Sequence, residues 1–402
     1  MSSPDIGEAE ITAVNEVLRT RFLSVGPRLE AFERAVADYV GTAHAVGVSS
    51  GTSALHLCVL AAGVGEGDLV ITTPFSFVAS ANCILYERAV PIFVDVEPGT
   101  GNIDPARVAE AAQALAGEGA TTRRQSASSW RWLPPSVRQT GDRPLSGRLK
   151  AILPIHAFGR PADMEPILRV ARQYNVVVIE DACEALGAEY EGRKASSLSD
   201  AAALAFYPNK QMTTGEGGMI VTNNGLWAEL FRSLRNQGRD RFDGWLNHAR
   251  LGYNSRLDEM SAALGLAQMG RIEELLAKRQ QVADWYDERL EDVELIERPK
   301  AVPPTGRMSW FVYVVRVKPP AERNVVMQRL AEGGIPSRPY FSPIHLQPFY
   351  CERFGYRRGD FPVTETLGDV SLALPFSSVM QEEQVDAVCD QLRAALFTAQ
   401  GC

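Results

Sequence analysis

The sequence predicts an α/β protein with a mostly parallel sheet flanked by helices, followed by a small α+β domain. Two features of the chain indicate this. Short apolar runs alternate with helical periods through the first two-thirds of the sequence, and several of the runs are rich in β-branched residues. Such runs are typical of buried strands in β-α-β units rather than of a sandwich. Beyond them the pattern becomes mainly helical, which indicates the second domain.

Six apolar runs predict the strands of the sheet, and helical periods fall among them. The predicted strands are residues 45–49, 69–72, 91–96, 151–154, 176–180 and 201–206. The helices predicted among them are residues 52–62, 79–86 and 164–174. Ligands of parallel sheets bind beyond the carboxyl ends of the strands. We therefore expect the functional residues directly after these runs.

The remainder of the chain predicts a small carboxyl-terminal domain. Helical periods cover residues 226–237, 257–290, 325–332 and 382–396, and the alternating segment 310–317 predicts a strand. We expect a large domain over residues 1–257 and a small domain over residues 258–402, with the long helical stretch as connector. The first residues of the chain are expected to pack on the small domain. A length of 402 residues suits this division, since a domain takes about 100–200 residues.

Composition excludes several classes of function. The net charge is −8, so no overall basic field favours nucleic acid or an anionic membrane. The first residues lack the layout of a secretory signal, and no apolar run reaches the about 18–20 residues that span a bilayer. The six cysteines form no C-x-x-C pair, which favours buried thiols in a reducing compartment over a metal site. We expect a cytoplasmic protein.

The segment 117–150 interrupts the alternating pattern. It is polar, rich in Ser, Gly, Pro and Arg, and contains seven basic and two acidic residues. One interpretation is a mobile surface insertion between a helix and a strand. The other is a flap or partner-binding loop near the site entrance, formed by Trp130, Trp132 and the arginines. The sequence leaves both open.

Two residues that follow predicted strands carry chemical groups suited to catalysis. Asp181 ends the run VVVIED, where burial of a carboxylate is costly unless a cation lies nearby. An aspartate that only caps the next turn is the alternative. Lys210 follows the strand 201–206 and precedes the glycine-dense turn GEGG. A lysine whose pKa is lowered by such surroundings can form a Schiff base with a carbonyl group.

Two further features follow strands nearer the amino end. Residues 49–54 read SSGTSA and join a strand to a helix. Exposed N–H groups and hydroxyls at such a helix start can bind phosphate. The segment has neither the Walker spacing nor G-x-G-x-x-G, which disfavours nucleoside triphosphates and dinucleotides. Phe77 follows the next strand, where an aromatic ring is either part of the core or a platform for a cofactor.

Taken together, these four features fit one cofactor. Pyridoxal phosphate requires an anion site, a ring to stack on, a carboxylate for its pyridine nitrogen and an amine for its aldehyde. Each of the four is supplied here directly after its own predicted strand. The combination is specific, although each feature alone is weak.

The sequence also resembles a known family over nearly its whole length. It is similar to the DegT/DnrJ/StrS family of nucleotide-sugar aminotransferases, which have the pyridoxal-phosphate fold type I. The stretches that carry the resemblance are SSGTSALHL (49–57), GDLVITTPFSFVASAN (67–82), VPIFVDVEPGTGNIDP (90–105), HAFGRPADM (156–164), VIEDACEALGAEYEGRKA (178–195), FYPNKQMTTGEGGMIVT (206–222), RLGYNSRLDEMSAALGLAQ (250–268) and YFSPIHLQPFY (340–350). The resemblance implies a seven-stranded sheet. It extends over nearly the whole chain except the basic insertion.

The resemblance implies a role for each matching residue in cofactor binding. Lys210 would hold the cofactor covalently and then move the proton, and Asp181 would bind the pyridine nitrogen. Phe77 would stack on the ring, while Gly51 and Thr52 would hold the phosphate.

Further roles and two departures also follow from the resemblance. Asn254 would reach the phosphate from the neighbouring subunit of a homodimer, Glu184 would lie beside the cofactor's hydroxyl, and His345 would lie near the sugar. Ala205 stands where many members have a serine that binds phosphate, so phosphate binding would depend more on Thr52 and Asn254. Ser255 stands where many members have an aromatic residue.

The implied reaction is transamination of a keto group on a nucleotide-linked sugar, with L-glutamate as donor and 2-oxoglutarate as product. A 4-keto-6-deoxy sugar is favoured through Glu184, and amino sugars for surface polysaccharide or glycosylated metabolites are the expected end use. A 3-keto sugar, a keto-cyclitol and a pyridoxal-phosphate-binding regulator without turnover remain alternatives. Lys210 disfavours the dehydratase branch of the family, in which histidine replaces this lysine.

Overall fold

A computed structural model describes residues 2–116, 130–139, 147–240, 247–299 and 305–398. The helices are α1 (Glu8–Leu18), α2 (Pro27–Val40), α3 (Gly51–Ala61), α4 (Ala79–Tyr86), α5 (Pro105–Ala116), α6 (Pro135–Gln139), α7 (Met164–Tyr174), α8 (Gly225–Leu234), α9 (Glu259–Met269), α10 (Ile272–Arg289), α11 (Arg323–Glu332), α12 (Pro348–Phe354), α13 (Pro362–Val370) and α14 (Glu382–Thr398). The strands are β1 (His44–Val48), β2 (Leu69–Thr72), β3 (Val90–Phe93), β4 (Leu149–Ile152), β5 (Val177–Asp181), β6 (Glu189–Tyr190), β7 (Arg193–Lys194), β8 (Ala201–Ala205), β9 (Gly218–Thr222), β10 (Ile296–Glu297), β11 (Thr305–Arg307), β12 (Tyr313–Val317), β13 (Arg338–Pro339) and β14 (Ser371–Leu374).

The large domain is built on a seven-stranded sheet in the order β1-β9-β8-β5-β4-β2-β3. Strands β3, β2, β4, β5 and β8 are parallel neighbours, and β9 runs antiparallel to both β8 and β1. The predicted α/β architecture is therefore confirmed. Strand β9 is absent from the sequence prediction because it follows the glycine-dense turn directly, where the turn signal dominates.

Local patterns locate most elements of the large domain closely. Strand β2 and helices α4 and α7 have the predicted bounds. The predicted helical stretch 257–290 is instead two helices, α9 and α10, because the chain leaves helical geometry at Arg271 (φ −128°). The predicted strand at 310–317 begins only at Tyr313, since Trp310 adopts a left-handed backbone conformation (φ 46°).

The division between the two cores differs from the expected boundary at residue 257. Ala262 and Met269 of α9 lie in the same buried cluster as Leu29 and Phe32 of α2. The small-domain core begins further along, at Val282 of α10, and surrounds the antiparallel sheet β10-β12-β14-β13. Helix α9 and the start of α10 therefore pack with the large domain, and α10 passes from one core to the other.

The amino-terminal residues pack on this connector. Asp5 forms ion pairs with Arg271 (2.7 Å) and Lys278 (2.9 Å). Helix α1 packs against α9. The expected contact of the first residues with the small domain is thus made with the helices that lead into it, because these helices carry the complementary arginine and lysine.

Part of the basic insertion is described, namely residues 130–139 and 147–150. Leu133 is fully buried among residues of β2, α5 and α7. Ser136 of α6 donates a hydrogen bond to the Arg353 carbonyl of α12 (3.1 Å). These residues are therefore packed on the body of the protein. Residues 117–129 and 140–146 of the insertion lie outside the described residues.

Within the described ranges, none of the helices combines the length and the apolar character needed to cross a bilayer.

Candidate active site

A cavity of about 420 Å³ opens beyond the carboxyl ends of β1, β2, β5 and β8. This is where a parallel sheet presents its functional residues. Six of the eight predicted site residues line this cavity: Gly51, Thr52, Phe77, Asp181, Glu184 and Lys210. Residues that are up to 159 positions apart in sequence are therefore brought together because each directly follows a strand end.

Asp181 is the last residue of β5 and is buried. Its side chain accepts hydrogen bonds from the Ser80 hydroxyl (2.6 Å) and from the main-chain N–H of Cys183 (3.2 Å). Both donors are neutral. A buried carboxylate held by neutral donors favours a cation in the adjoining cavity, since its charge is costly to bury otherwise.

Lys210 follows β8, and its side chain is only 13% exposed. Its Nζ lies 3.5 Å from Glu184 Oε1 and 3.8 Å from the centre of the Phe311 ring. The ammonium group is thus held between a carboxylate and an aromatic face. Both contacts favour a single side-chain position.

Glu184 combines burial with two specific contacts. Its Oε2 accepts a hydrogen bond from the main-chain N–H of Phe158 (2.9 Å), while Oε1 faces Lys210. Burial raises the pKa of Glu184 above its ordinary value, and the nearby Lys210 charge opposes this increase. The carboxyl group can therefore exchange a proton at a higher pH than an exposed glutamate.

The start of helix α3 forms the other end of the cavity. Ser50 caps the helix by accepting a hydrogen bond from the Ser53 N–H (3.1 Å). The first N–H groups of a helix have no partner inside it, and Gly51 and Thr52 line the cavity at this point. A Cβ atom on Gly51 would lie 2.7 Å from Ala205 Cβ and 2.8 Å from the Cys183 sulfur. Only glycine fits this cradle.

Cys183 lines the cavity but is not a nucleophile there. Burial, followed by the charge of Asp181, raises the pKa of the Cys183 thiol well above its usual range. Because the thiolate is the reactive form, we assign Cys183 a packing role beside Gly51.

Two predicted site residues lie outside the cavity. Asn254 is exposed, in a segment that pairs with Asn236. Its contact with the phosphate of a neighbouring subunit stays a prediction.

His345 is completely buried, with Nε2 3.0 Å from Glu365 Oε1 and its ring 4.8 Å from that of Phe361. The short turn 344–346 directs this side chain toward α13, away from the cavity. In the single chain His345 thus lies outside the cavity lining, and its expected contact with the sugar stays a prediction.

The structure adds cavity residues that the sequence analysis did not identify. Ser80 binds Asp181, and its position four residues after Ser76 on the same helix start is the only local signal for it. Phe311 and Tyr340 enter from the small domain. Their sequence surroundings resemble an ordinary strand and loop, so only the folded arrangement identifies them.

Comparison with known proteins agrees with this geometry. A model of the DegT/DnrJ/EryC1/StrS aminotransferase family matches residues 4–124 and 126–393. The chain belongs to this family. It is therefore a pyridoxal-phosphate-dependent sugar aminotransferase, as the motifs around Asp181 and Lys210 predicted.

Individual relatives cover nearly the whole chain. GDP-perosamine synthase of Caulobacter vibrioides is 37% identical over 98% of this chain and 98% of its own. The spore coat polysaccharide biosynthesis protein SpsC of Bacillus subtilis is 33% identical over 98% of this chain and 95% of its own. The structure of S. venezuelae DesV in complex with a ketimine intermediate is 30% identical, with a TM-score of 0.82, over 96% of this chain and 93% of that chain.

The residues present fit the cofactor of the family. Gly51 and Thr52 line the cavity at the start of α3, where the first N–H groups of the helix can bind a phosphate. Asp181, held by neutral donors, can accept a hydrogen bond from a protonated ring nitrogen at the other end of the cavity.

The cradle predicts that Gly51→Ala weakens cofactor binding. The added methyl group would collide with Ala205 and Cys183, and overpacking of this kind costs about 1–3 kcal/mol. Relief of the collision would move the start of α3, and with it the N–H groups expected to hold the phosphate. We expect the dissociation constant of pyridoxal phosphate, measured by equilibrium titration of the apoenzyme, to rise about tenfold or more. Gly65→Ala is the matched control, because a Cβ there meets no atom within 4 Å. Equal affinities of the two variants would contradict the assignment of the cradle.

The Glu184–Lys210 pair predicts a pH dependence. As pH falls through the raised pKa of Glu184, its carboxylate takes up a proton and the attraction to Lys210 is lost. The rate constant of the half-reaction with the amino donor should therefore decline at a pH above the ordinary glutamate value of 4.5. This acidic limb should be absent from Glu184→Gln and retained in Glu189→Gln, whose glutamate pairs with Lys194 outside the cavity. An unchanged limb in Glu184→Gln would exclude this role.

Proposed function

We propose that this enzyme transfers an amino group from L-glutamate to a keto group on a nucleotide-linked sugar, with a 4-keto-6-deoxy sugar as the substrate class. The observation that carries the proposal is the joint placement of Lys210, Asp181 and Glu184 in one cavity. The name of the relative from Caulobacter vibrioides, a GDP-perosamine synthase, supports a nucleotide sugar as acceptor. The resemblance of the motif around Glu184 supports the 4-keto class.

The protein must first bind and orient the cofactor. When bound, pyridoxal phosphate supplies an electron-withdrawing ring that disperses the negative charge left when a substrate loses its α-proton. Asp181 would keep the ring nitrogen protonated, because a buried carboxylate favours a neighbouring cation. Gly51 and Thr52 would hold the phosphate, and Phe77, which lines the same cavity, would contact the ring.

Lys210 would serve as the acid and base. Its Nζ would hold the cofactor in the resting enzyme, and its amine would be free to act once the amino donor is bound. The free amine can then accept the donor's α-proton and hold it for return. Positioned proton transfer of this kind contributes about 10²–10⁴-fold to the rate. The contacts with Glu184 and Phe311 keep Nζ within the cavity during these steps.

A second cleft suits an acceptor that is larger than glutamate. It has a volume of about 880 Å³ and shares Ser76, Phe77, Tyr340 and Phe341 with the inner cavity. Its outer wall carries the exposed rings of Tyr86 and Phe349 and the guanidinium of Arg353. Aromatic faces can stack on a nucleobase, and arginine binds phosphate groups. We infer that the nucleotide lies here, with the sugar directed toward Lys210.

The exposed aromatic residues at the entrance support a homodimer. Phe77 and Tyr207 line the cavity, yet their side chains are 63% and 52% exposed in the single chain. Exposed apolar residues beside a site are typical of an interface between proteins. A second copy that covers them would also bring an exposed Asn254 to the phosphate end, which is the role that the resemblance implies.

The decisive experiment for the substrate is product analysis. The purified protein is incubated with pyridoxal phosphate, L-glutamate and a panel of 4-keto and 3-keto nucleotide sugars. We expect mass spectrometry to detect amination of a 4-keto-6-deoxy sugar with formation of 2-oxoglutarate, and NMR to place nitrogen on carbon 4 of the ring. Amination only at carbon 3, or only of a keto-cyclitol, would replace the proposed substrate class. If no amino donor released its keto acid, transaminase activity would be excluded.

The role of Asp181 predicts a split between binding and turnover. Asp181→Asn keeps the size of the side chain but loses the negative charge: its one oxygen can accept from the Cys183 N–H, and its NH2 group can donate to the Ser80 hydroxyl. The ring nitrogen would then no longer be held in its protonated form. We expect the cofactor to remain bound while the single-turnover rate with glutamate falls by at least about 10²-fold. Asp200→Asn is the control, because Asp200 binds the Val178 N–H at the opposite end of the strand. A near-normal rate in Asp181→Asn would contradict this role.

A further inference from the structure

Arg279 of α10 is a buried arginine whose bonds all run to main-chain oxygens among the described residues. It is 2% exposed. One amino group of its guanidinium donates hydrogen bonds to the carbonyls of Trp310 and Phe311, each at 3.1 Å. The other donates to the carbonyls of Asn209 (3.2 Å) and Lys210. Burial lowers the pKa of Arg279 to about 10, so the group stays charged at neutral pH.

These four carbonyls belong to two segments that meet at the cavity. Residues 209 and 210 lie in the large-domain loop that follows β8, and residues 310 and 311 precede β12 of the small domain. A planar guanidinium with several donors in fixed directions suits this task, whereas an ammonium group has no fixed fork. Burying such a charge without a carboxylate is costly. A functional role for Arg279 would explain why this costly buried charge is present.

The two segments are also joined by contacts that pass through the active site. Together with the bonds of Arg279, these contacts form a closed ring. The Phe311 N–H donates to the Phe158 carbonyl (3.2 Å), and the Phe158 N–H donates to Glu184 Oε2 (2.9 Å). Glu184 Oε1 then lies 3.5 Å from Lys210 Nζ. Arg279 completes the ring, because it bonds the carbonyls of both Lys210 and Phe311. Each member of the ring therefore restricts the position of the reacting amine.

We propose that Arg279 is a positioning residue for the transamination: it fixes the main chain of Lys210 relative to Phe311, so that the lysine amine is held between Glu184 and the Phe311 ring. The inference rests on the proposed function, in that Lys210 is taken as the amine that joins the cofactor. The position of the small domain, through α10 and Phe311, is thereby coupled to the geometry of the catalytic lysine.

A second contact across the same junction indicates that Arg279 variants will fold. Gln211 donates hydrogen bonds to the Ser309 hydroxyl (3.0 Å) and to the Glu184 carbonyl. The two segments therefore stay joined when the guanidinium is removed. What is lost is the direct constraint on the carbonyls of Lys210 and Phe311.

The test compares Arg279→Lys and Arg279→Ala with a control, Arg329→Ala. Arg329 also donates to a main-chain carbonyl, that of Ala395 (3.3 Å), but lies on α11 of the small domain and away from the cavity. Three quantities are measured for each variant: the thermal midpoint of the apoenzyme, the rate at which apoenzyme and pyridoxal phosphate form the covalent linkage in stopped-flow absorbance, and the single-turnover rate with glutamate. The measurements on Arg279→Ala are repeated with ethylguanidinium at concentrations that do not denature the wild-type protein.

Misplacement of a reacting group by about 1 Å can cost about 10²-fold in rate, and we expect losses of this size in both rates for Arg279→Lys. The concentration of glutamate at which the single-turnover rate is half-maximal should stay within a few-fold of wild type. The thermal midpoint should fall below that of the control, because four buried carbonyls lose a donor, but each variant should remain folded at the assay temperature. Ethylguanidinium should restore part of both rates in Arg279→Ala. Wild-type rates in a folded Arg279→Lys, or rates that fall only in parallel with the thermal midpoint without rescue, would overturn the proposal. Absence of a covalent linkage in the wild-type enzyme would instead show that the proposed function itself is wrong.

Discussion

The burial of three ionisable groups in one cavity is the constraint on which the site depends. Asp181, Glu184 and Lys210 are all largely withdrawn from water, although charged groups are costly to bury singly. Glu184 and Lys210 offset part of this cost for each other at 3.5 Å. Asp181 is left with neutral donors and an open cavity beside it. The protein alone thus leaves one negative charge to be matched, and the family's cofactor supplies a ring nitrogen that can match it.

The fold makes this arrangement possible because parallel strands end at a common edge. The loops after β1, β2, β5 and β8 supply the helix start at Gly51, the exposed ring, the carboxylates and the lysine, respectively. Each loop begins at a largely buried strand, so the side chains are carried by a close-packed part of the protein. The small domain adds Phe311 and Tyr340 to the same cavity and closes it from the opposite side.

Much of this site could be predicted from the sequence because the signals are local. Asp181 and Lys210 each stand within a few residues of a strand, and the apolar runs that mark these strands are distinct. The helix start at Gly51 is likewise visible as a run of small residues. A strand such as β9 was not predictable in this way, since its glycine-rich flank dominates the local pattern.

Contacts between distant segments could not be predicted in this way. The bonds of Arg279 join residues up to 70 positions apart, and in the sequence Arg279 resembles any charged residue of an amphipathic helix. The position of His345 could not be predicted either, because the histidine of a specific motif suggests an open position near the substrate. In the structure it is enclosed by aromatic rings and Glu365. Whether a side chain is buried depends on segments that are distant in sequence, and a local motif carries no information about them.

All the proposed roles require that the amine of Lys210 joins the cofactor at this edge of the sheet. Borohydride reduction of the purified protein after incubation with pyridoxal phosphate, followed by peptide mass mapping, tests it most directly. We expect a single modified peptide that contains Lys210, and loss of the modification when this lysine is replaced by alanine. Modification of another lysine, with Lys210 untouched, would contradict the account.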